Sequence, residues 1–110
     1  MSYKVLAIPP FDKQLKRLSK KYPSLKREYE HLVDLLENSP TQGTSIGRNC
    51  YKIRIAIASK GKGKSGGARV ITNFIITEKT VLLLSIYDKT EKSTISDSEL
   101  TNLIGQIPIF

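Results

Sequence analysis

The 110-residue chain has one cysteine, Cys50, and one histidine, His31. A single thiol can neither close an intrachain disulfide nor build a cysteine-based zinc cluster, which suits a reducing cytoplasm. A single histidine, beside the apolar stripe of a helix and with no carboxylate arranged around it, reads as a surface or structural side chain. Long apolar runs are missing too. The opening stretch Tyr3–Ile8 is too short for a signal peptide, and no later segment reaches membrane-spanning length, so a soluble, unprocessed protein without a membrane partner is expected. The most informative absence is of negative charge. From Asn38 to Thr77 there is no Asp or Glu, yet Arg48, Lys52, Arg54, Lys60, Lys62, Lys64 and Arg69 all lie there.

That block accounts for nearly all of the formal net charge of +8. Charge of one sign repels itself and opposes compaction, so an uncompensated basic block in a small domain points to a polyanionic partner, nucleic acid first. With 39% hydrophobic and 25% charged residues the chain falls in the globular range, which excludes disorder and supports one domain over residues 1–110.

Tyr3–Ile8 reads as a first strand, closed by Pro9 and Pro10, which cannot donate ladder hydrogen bonds. Phe11, Leu15, Leu18 and Tyr22 recur at helical spacing, and Pro23 ends that helix. Ser24 is placed to cap a second helix with the stripe Leu25, Tyr29, Leu32, Val33 and Leu36, and the two helices form an antiparallel hairpin. Thr41 to Asn49 is polar and reads as a loop. Next, Tyr51, Ile53, Ile55 and Ile57 alternate with Lys52 and Arg54, giving a strand with one core face and one cationic face. A glycine-lysine loop leads into a strand over Ala68–Thr77, a turn at Glu78–Thr80 and the apolar run Val81–Tyr87, the expected central strand. Ser96 and Glu99 form a capping box, with Ile95 and Leu100 as a hydrophobic staple, before a last helix from about Asp97 to Gln106. The order β-α-α-β-β-β-α predicts an α+β fold: a helical hairpin packed on a small, mainly antiparallel, twisted sheet.

Two motifs invite chemistry. Gly63-Lys64-Ser65 suggests a phosphate loop, but Ala58 stands where the first glycine belongs and a strand follows where a helix N-terminus is needed, which argues against nucleotide hydrolysis. The carboxylates offer no metal cluster: Glu28, Glu30, Asp34 and Glu37 sit on the second helix and Glu99 caps the last, none interleaved with the basic strands. A two-metal nuclease needs converging carboxylates, so no metal or other cofactor is expected. Among the aromatics, Tyr87, at the end of a strand near Lys89, is the candidate for catalysis.

The run Gly61-Lys62-Gly63-Lys64-Ser65-Gly66-Gly67-Ala68-Arg69-Val70-Ile71, followed by Ile86-Tyr87-Asp88-Lys89-Thr90-Glu91-Lys92 and by Ile95-Ser96 before Glu99-Leu100, resembles the RelE/HigB-like toxins of bacterial type II toxin–antitoxin systems, in the RelE/ParE superfamily. The order of elements resembles them as well. This resemblance implies a microbial RNase-like fold whose concave sheet face binds messenger RNA, often in the ribosomal A site, and cuts it without a metal, inhibiting translation. It also implies a cognate antitoxin that covers the basic face. Arg69 matches the arginine after the glycine pair, Lys89 the lysine after the penultimate element, and Lys62 and Lys64 the loop lysines. The functional tyrosine near the C-terminus of RelE proper and the late histidine of some HigB toxins have no counterpart after Tyr87.

The implied reaction is attack of a ribose 2′-hydroxyl on the adjacent phosphodiester, giving a cyclic phosphate. It needs in-line positioning, charge neutralisation and proton transfer at both ends. Arg69 is expected to face the phosphorane, because a guanidinium fork suits two phosphate oxygens and keeps its proton. Lys89, Lys64 and Tyr87 are expected to move protons, with Lys52, Arg54, Lys60, Lys62 and Lys92 binding RNA. Two other readings fit the same residues: a ParE-type gyrase inhibitor on this scaffold, and a non-enzymatic nucleic-acid-binding module.

Overall fold

The computed structural model describes residues 2–61 and 63–108. Strand β1 (Lys4–Ala7) stops at Pro9 and Pro10, which open α1 (Pro9–Lys21), where a missing N–H costs nothing. Helix α2 (Leu25–Asn38) follows, then β2 (Thr44–Gly47), β3 (Cys50–Ile55), β4 (Ala68–Ile75), β5 (Thr80–Asp88) and α3 (Asp97–Gly105). The sheet order is β1-β5-β4-β3-β2, with β1 parallel to β5 and every other pair antiparallel. The fold is α+β, with helices on both faces of one mixed sheet.

β1 and β5 account for the burial pattern. β5 is flanked by β1 and β4 and covered on both faces, so all nine of its residues are buried, as the unbroken apolar run requires. On one face α1 and α2 contribute Phe11, Leu18, Leu25, Leu32 and Leu36 to a core with Ile53, Val70, Val81 and Leu83. On the other, Leu100 and Leu103 of α3 pack over Ile8, Cys50, Ile71, Leu82, Leu84 and Tyr87. A register shift opposite Ile71 and Thr72 explains how Leu82, Leu84 and Tyr87 reach one side despite the two-residue period. The extra residue is Leu84.

Two expectations are corrected. Thr41–Asn49 is not all loop: Thr44–Gly47 pairs with β3 as a fourth hairpin strand. Its turn, at Arg48 and Asn49, has φ values of 55° and 60°, the left-handed pair that a tight two-residue hairpin needs. Such a pair is usually announced by Asn-Gly. Here Asn73 holds it instead, its Nδ2 donating to the carbonyls of Arg48 at 3.0 Å and Asn49 at 3.4 Å, so the cause lies in β4 rather than in the local sequence. Ser24 does precede α2, but its hydroxyl caps no α2 amide; it donates to Glu28 and accepts from the Ser59 amide at 2.9 Å. The capping box of Ser96 and Glu99 is present as expected.

Candidate nucleic-acid interface

Register brings the basic residues into rows. Arg54 of β3 lies directly opposite Arg69 of β4, and Arg69 opposite Tyr87 of β5, so the three share one line across the α3 side of the sheet. The neighbouring row is Lys52, Ile71 and Ser85. Two arginines directly opposite one another destabilise a sheet unless something separates their charges. Here Arg69 turns away: its Nη1 donates to the carbonyls of Lys64 at 2.9 Å and Ala68 at 3.2 Å, and its Nη2 to that of Ser65 at 3.2 Å. Arg54 stays exposed.

The same bonds shape the loop between β3 and β4. It leaves β3 as a single 3₁₀ turn, Ala58–Lys60, and returns as another, Lys64–Gly66. Gly67 then passes so close to β3 that a Cβ there would lie 2.0 Å from the Ile55 carbonyl oxygen, which is why this position is glycine. With Arg69 gripping its returning arm, the loop carries Lys64 to a groove of about 600 Å³ that Lys52 and Arg54 also line. Among the described residues none of these three cations forms an ion pair. The groove runs along the edge of β3 that β2 leaves uncovered, with Leu32 and Leu35 of α2 as its apolar wall.

The other candidates are placed as follows. Tyr87 is 4% exposed, and its hydroxyl is buried without a hydrogen-bond partner among the described residues. Burial pushes the phenol pKa up, against the pull of Arg69, so the group keeps its proton at neutral pH. Lys92 lies over the Tyr87 ring, its Nζ 5.4 Å from the centroid, and pairs with Glu99. Lys89 donates its Nζ to the Ser93 carbonyl at 3.0 Å and does not line the groove. Lys62 lies outside the described residues.

Three expectations change. Lys60, expected at the RNA surface, is withdrawn from it: its side chain is 7% exposed and its Nζ is 2.6 Å from Asp88 Oδ1. Arg69, expected to face the phosphorane, is 4% exposed, with both terminal nitrogens engaged by carbonyls. The carboxylates are not all remote from the cations, because Glu28 lines the groove and accepts from the Ala58 amide at 2.6 Å. His31, on the exposed face of α2, lines it too. Nothing in the one-dimensional pattern marks that residue, since its proximity to β3 depends on how α2 crosses the sheet.

Among the described residues no group of three His, Cys, Asp or Glu side chains is gathered to hold a metal ion, and no helix is long and apolar enough to cross a membrane. Chemically, the groove offers three cations, unpaired among the described residues, that could meet an anion, and the row that starts at Arg54 leads through Arg69 to one buried, protonated phenol.

No protein-family model matches the chain. Among solved structures, a double arginine-to-alanine variant of the E. coli toxin RelE in the free state superposes with a TM-score of 0.64 at 14% identity, covering 98% of this chain and 100% of that one. A chain of the intact E. coli RelBE toxin–antitoxin complex matches at 25% identity and a TM-score of 0.56, covering 79% of this chain and 96% of that one. A chain of a RelBE toxin–antitoxin complex from Mycobacterium tuberculosis matches at 17% identity and a TM-score of 0.60, covering 80% and 92%. The fold is that of the RelE toxins.

Proposed function

We propose that this protein is the toxin of a type II toxin–antitoxin pair, a cytoplasmic, metal-independent endoribonuclease that cuts messenger RNA on the translating ribosome. The observation that carries the reading is the convergence of Lys52, Arg54 and Lys64 on one groove, with Arg54 in register with Arg69 and Tyr87, on a RelE-type sheet. A cognate antitoxin would neutralise this surface by covering it; two of the similar solved structures are toxin–antitoxin complexes.

In this reading the exposed Arg54, with Lys52 and Lys64, takes the phosphate oxygens and offsets the charge that builds on the phosphorane. Arg69 acts from beneath, holding the Lys64 arm in place and adding a fixed positive field. Tyr87, protonated, serves the leaving 5′-oxygen or stacks on a displaced base, and both uses require α3 or Lys92 to yield its covering position. Lys64, carried to the groove by the loop, is the group placed to take the 2′-hydroxyl proton.

The test is incubation of purified protein with translating ribosomes, followed by mapping of RNA ends. Cuts bearing 2′,3′-cyclic phosphates are expected, and Arg54→Ala should reduce their rate by roughly 100-fold, the cost of removing one preorganised charge at a developing oxyanion. Uncut messenger with the parent protein would overturn the assignment. In that case inhibition of DNA supercoiling would favour the gyrase reading, and salt-dependent binding without product the non-enzymatic one.

A further inference from the structure

In the sequence Lys60, Lys62 and Lys64 look like equivalent lysines on one flexible loop. The structure separates Lys60 from Lys64. Lys60 Nζ lies 2.6 Å from Asp88 Oδ1 and 3.3 Å from Thr90 Oγ1, and 5.5 Å from the centre of the Tyr22 ring. The Tyr22 hydroxyl donates to the other oxygen of the same carboxylate at 2.6 Å. Thr90 adds two more bonds to Oδ1, from its amide at 3.0 Å and its hydroxyl at 2.8 Å. The Asp88 carbonyl accepts from the amides of Glu91 and Lys92, each at 3.0 Å. One wholly buried carboxylate therefore joins the end of α1, the base of the basic loop and the turn that carries Lys89 and Lys92.

The opposite end of the loop is held separately. Arg69 grips the carbonyls of Lys64 and Ser65 from the α3 side of the sheet, whereas Lys60 is anchored beside Tyr22 on the helical side. The loop thus wraps the end of the β3–β4 hairpin with one clamp on each face. A buried ion pair is weak evidence of net stability, because well-packed apolar residues of similar volume often serve a core as well. What an apolar pair cannot supply is direction, and the bonds converging on Asp88 fix the loop base and the Lys89–Lys92 turn against each other.

We propose that Lys60 and Asp88 are positioning residues of the basic surface: the loop lysine that never meets RNA sets where Lys64 and Lys92 stand when RNA arrives. This rests on the RNA reading above, and the test separates the two. The double variant Lys60→Met/Asp88→Leu keeps apolar volume in place of the pair. By amide hydrogen exchange, residues 58–61, 63–66 and Lys92 should exchange at least about tenfold faster than in the parent, while amides of β4 and β5 stay protected. Affinity for a non-cleavable single-stranded RNA should fall about tenfold with its salt slope unchanged, because no phosphate contact has been removed. Loop exchange equal to the parent's would overturn the proposal. So would a slope reduced by about 0.7, the mark of one lost phosphate contact on a single strand. Should the double variant fail to fold, Thr90→Val, which removes the hydroxyl shared by Lys60 and Asp88, is read by the same exchange measurement, with faster loop exchange expected and parental exchange overturning the idea. If the parent binds no RNA, the functional reading fails, and the exchange data still decide the positioning role.

Discussion

Alanine at three glycines of the β3–β4 loop region should have three different consequences. At Gly67 an added Cβ would stand 2.0 Å from the Ile55 carbonyl oxygen and 3.0 Å from the Ile55 carbonyl carbon and Ala56 Cα, where non-bonded carbons want about 3.5–4.0 Å. The obstacle is backbone next to the last rung of the β3–β4 ladder, Ile55 opposite Ala68, so no side chain can rotate away. Relief requires moving a strand, and the cost should reach the upper end of overpacking, roughly 3 kcal/mol. With an unfolding entropy of about 2.1 cal/mol/K per residue, a chain of 110 residues loses about 4 °C in Tm per kcal/mol, so Gly67→Ala should melt about 13 °C below the parent. At Gly61, φ is +70° with no atom within 4 Å, so Gly61→Ala meets only the left-handed penalty of roughly 1–2 kcal/mol, or about 4–8 °C. Gly63 has φ −62° and ψ −167°, also with nothing within 4 Å. Alanine there restricts the unfolded chain without native strain and should raise Tm by about 2–4 °C. Circular-dichroism melts of the three variants at neutral pH read the series directly. A Gly67→Ala protein melting within about 2 °C of the parent would refute the close approach between β4 and the β3 backbone.

Acid should expose the Asp88 network. Burial pushes its carboxyl up, but the bonds from Lys60, Tyr22 and Thr90 outweigh that and hold it well below the usual carboxylate range. A group depressed in the folded state contributes stability that is full above its unfolded pKa, about 3.9, and is lost as pH falls further towards the folded value. Asp88→Asn should therefore melt well below the parent at pH 7, and the gap should narrow below about pH 4. Glu91 and Glu99, held low by Arg17 and Lys92, titrate in both proteins and cancel in the difference; a gap that stays constant down to pH 2.5 would contradict the assignment. Lys52→Ala and Arg54→Ala should each weaken single-stranded RNA binding and reduce the salt slope by about 0.7, measured by fluorescence anisotropy across a salt series. An unchanged slope for both would remove the groove from the RNA path.

Much of the architecture was legible because it rests on local period and composition. The alternation of Tyr51, Ile53 and Ile55 against Lys52 and Arg54, the unbroken run of β5 and the Ser96–Glu99 box each carry their own structural cause within a few residues. β2 did not, since its turn is stabilised by Asn73, some two dozen residues away. The site was legible as a cationic surface but not in its division of labour. Composition cannot tell a lysine that meets solvent from one that meets Asp88, nor reveal that Arg69 would satisfy loop carbonyls. Both outcomes depend on partners 28 and five residues away in sequence, brought close by the return of β4 and β5.

The parallel pairing of β1 with β5 has a consequence for biosynthesis. Val5 sits beside Val81 and Leu6 beside Leu82, so β1 must wait for β5. Until residues near Asp88 leave the ribosome, α1 and α2 have no β5 on which to bury their apolar stripes. Such long-range closure is slow and leaves greasy helices uncovered in the meantime. A nascent chain thus cannot assemble the row that runs from Arg54 through Arg69 to Tyr87 until β5 has emerged, so whatever this surface binds meets it only late in synthesis.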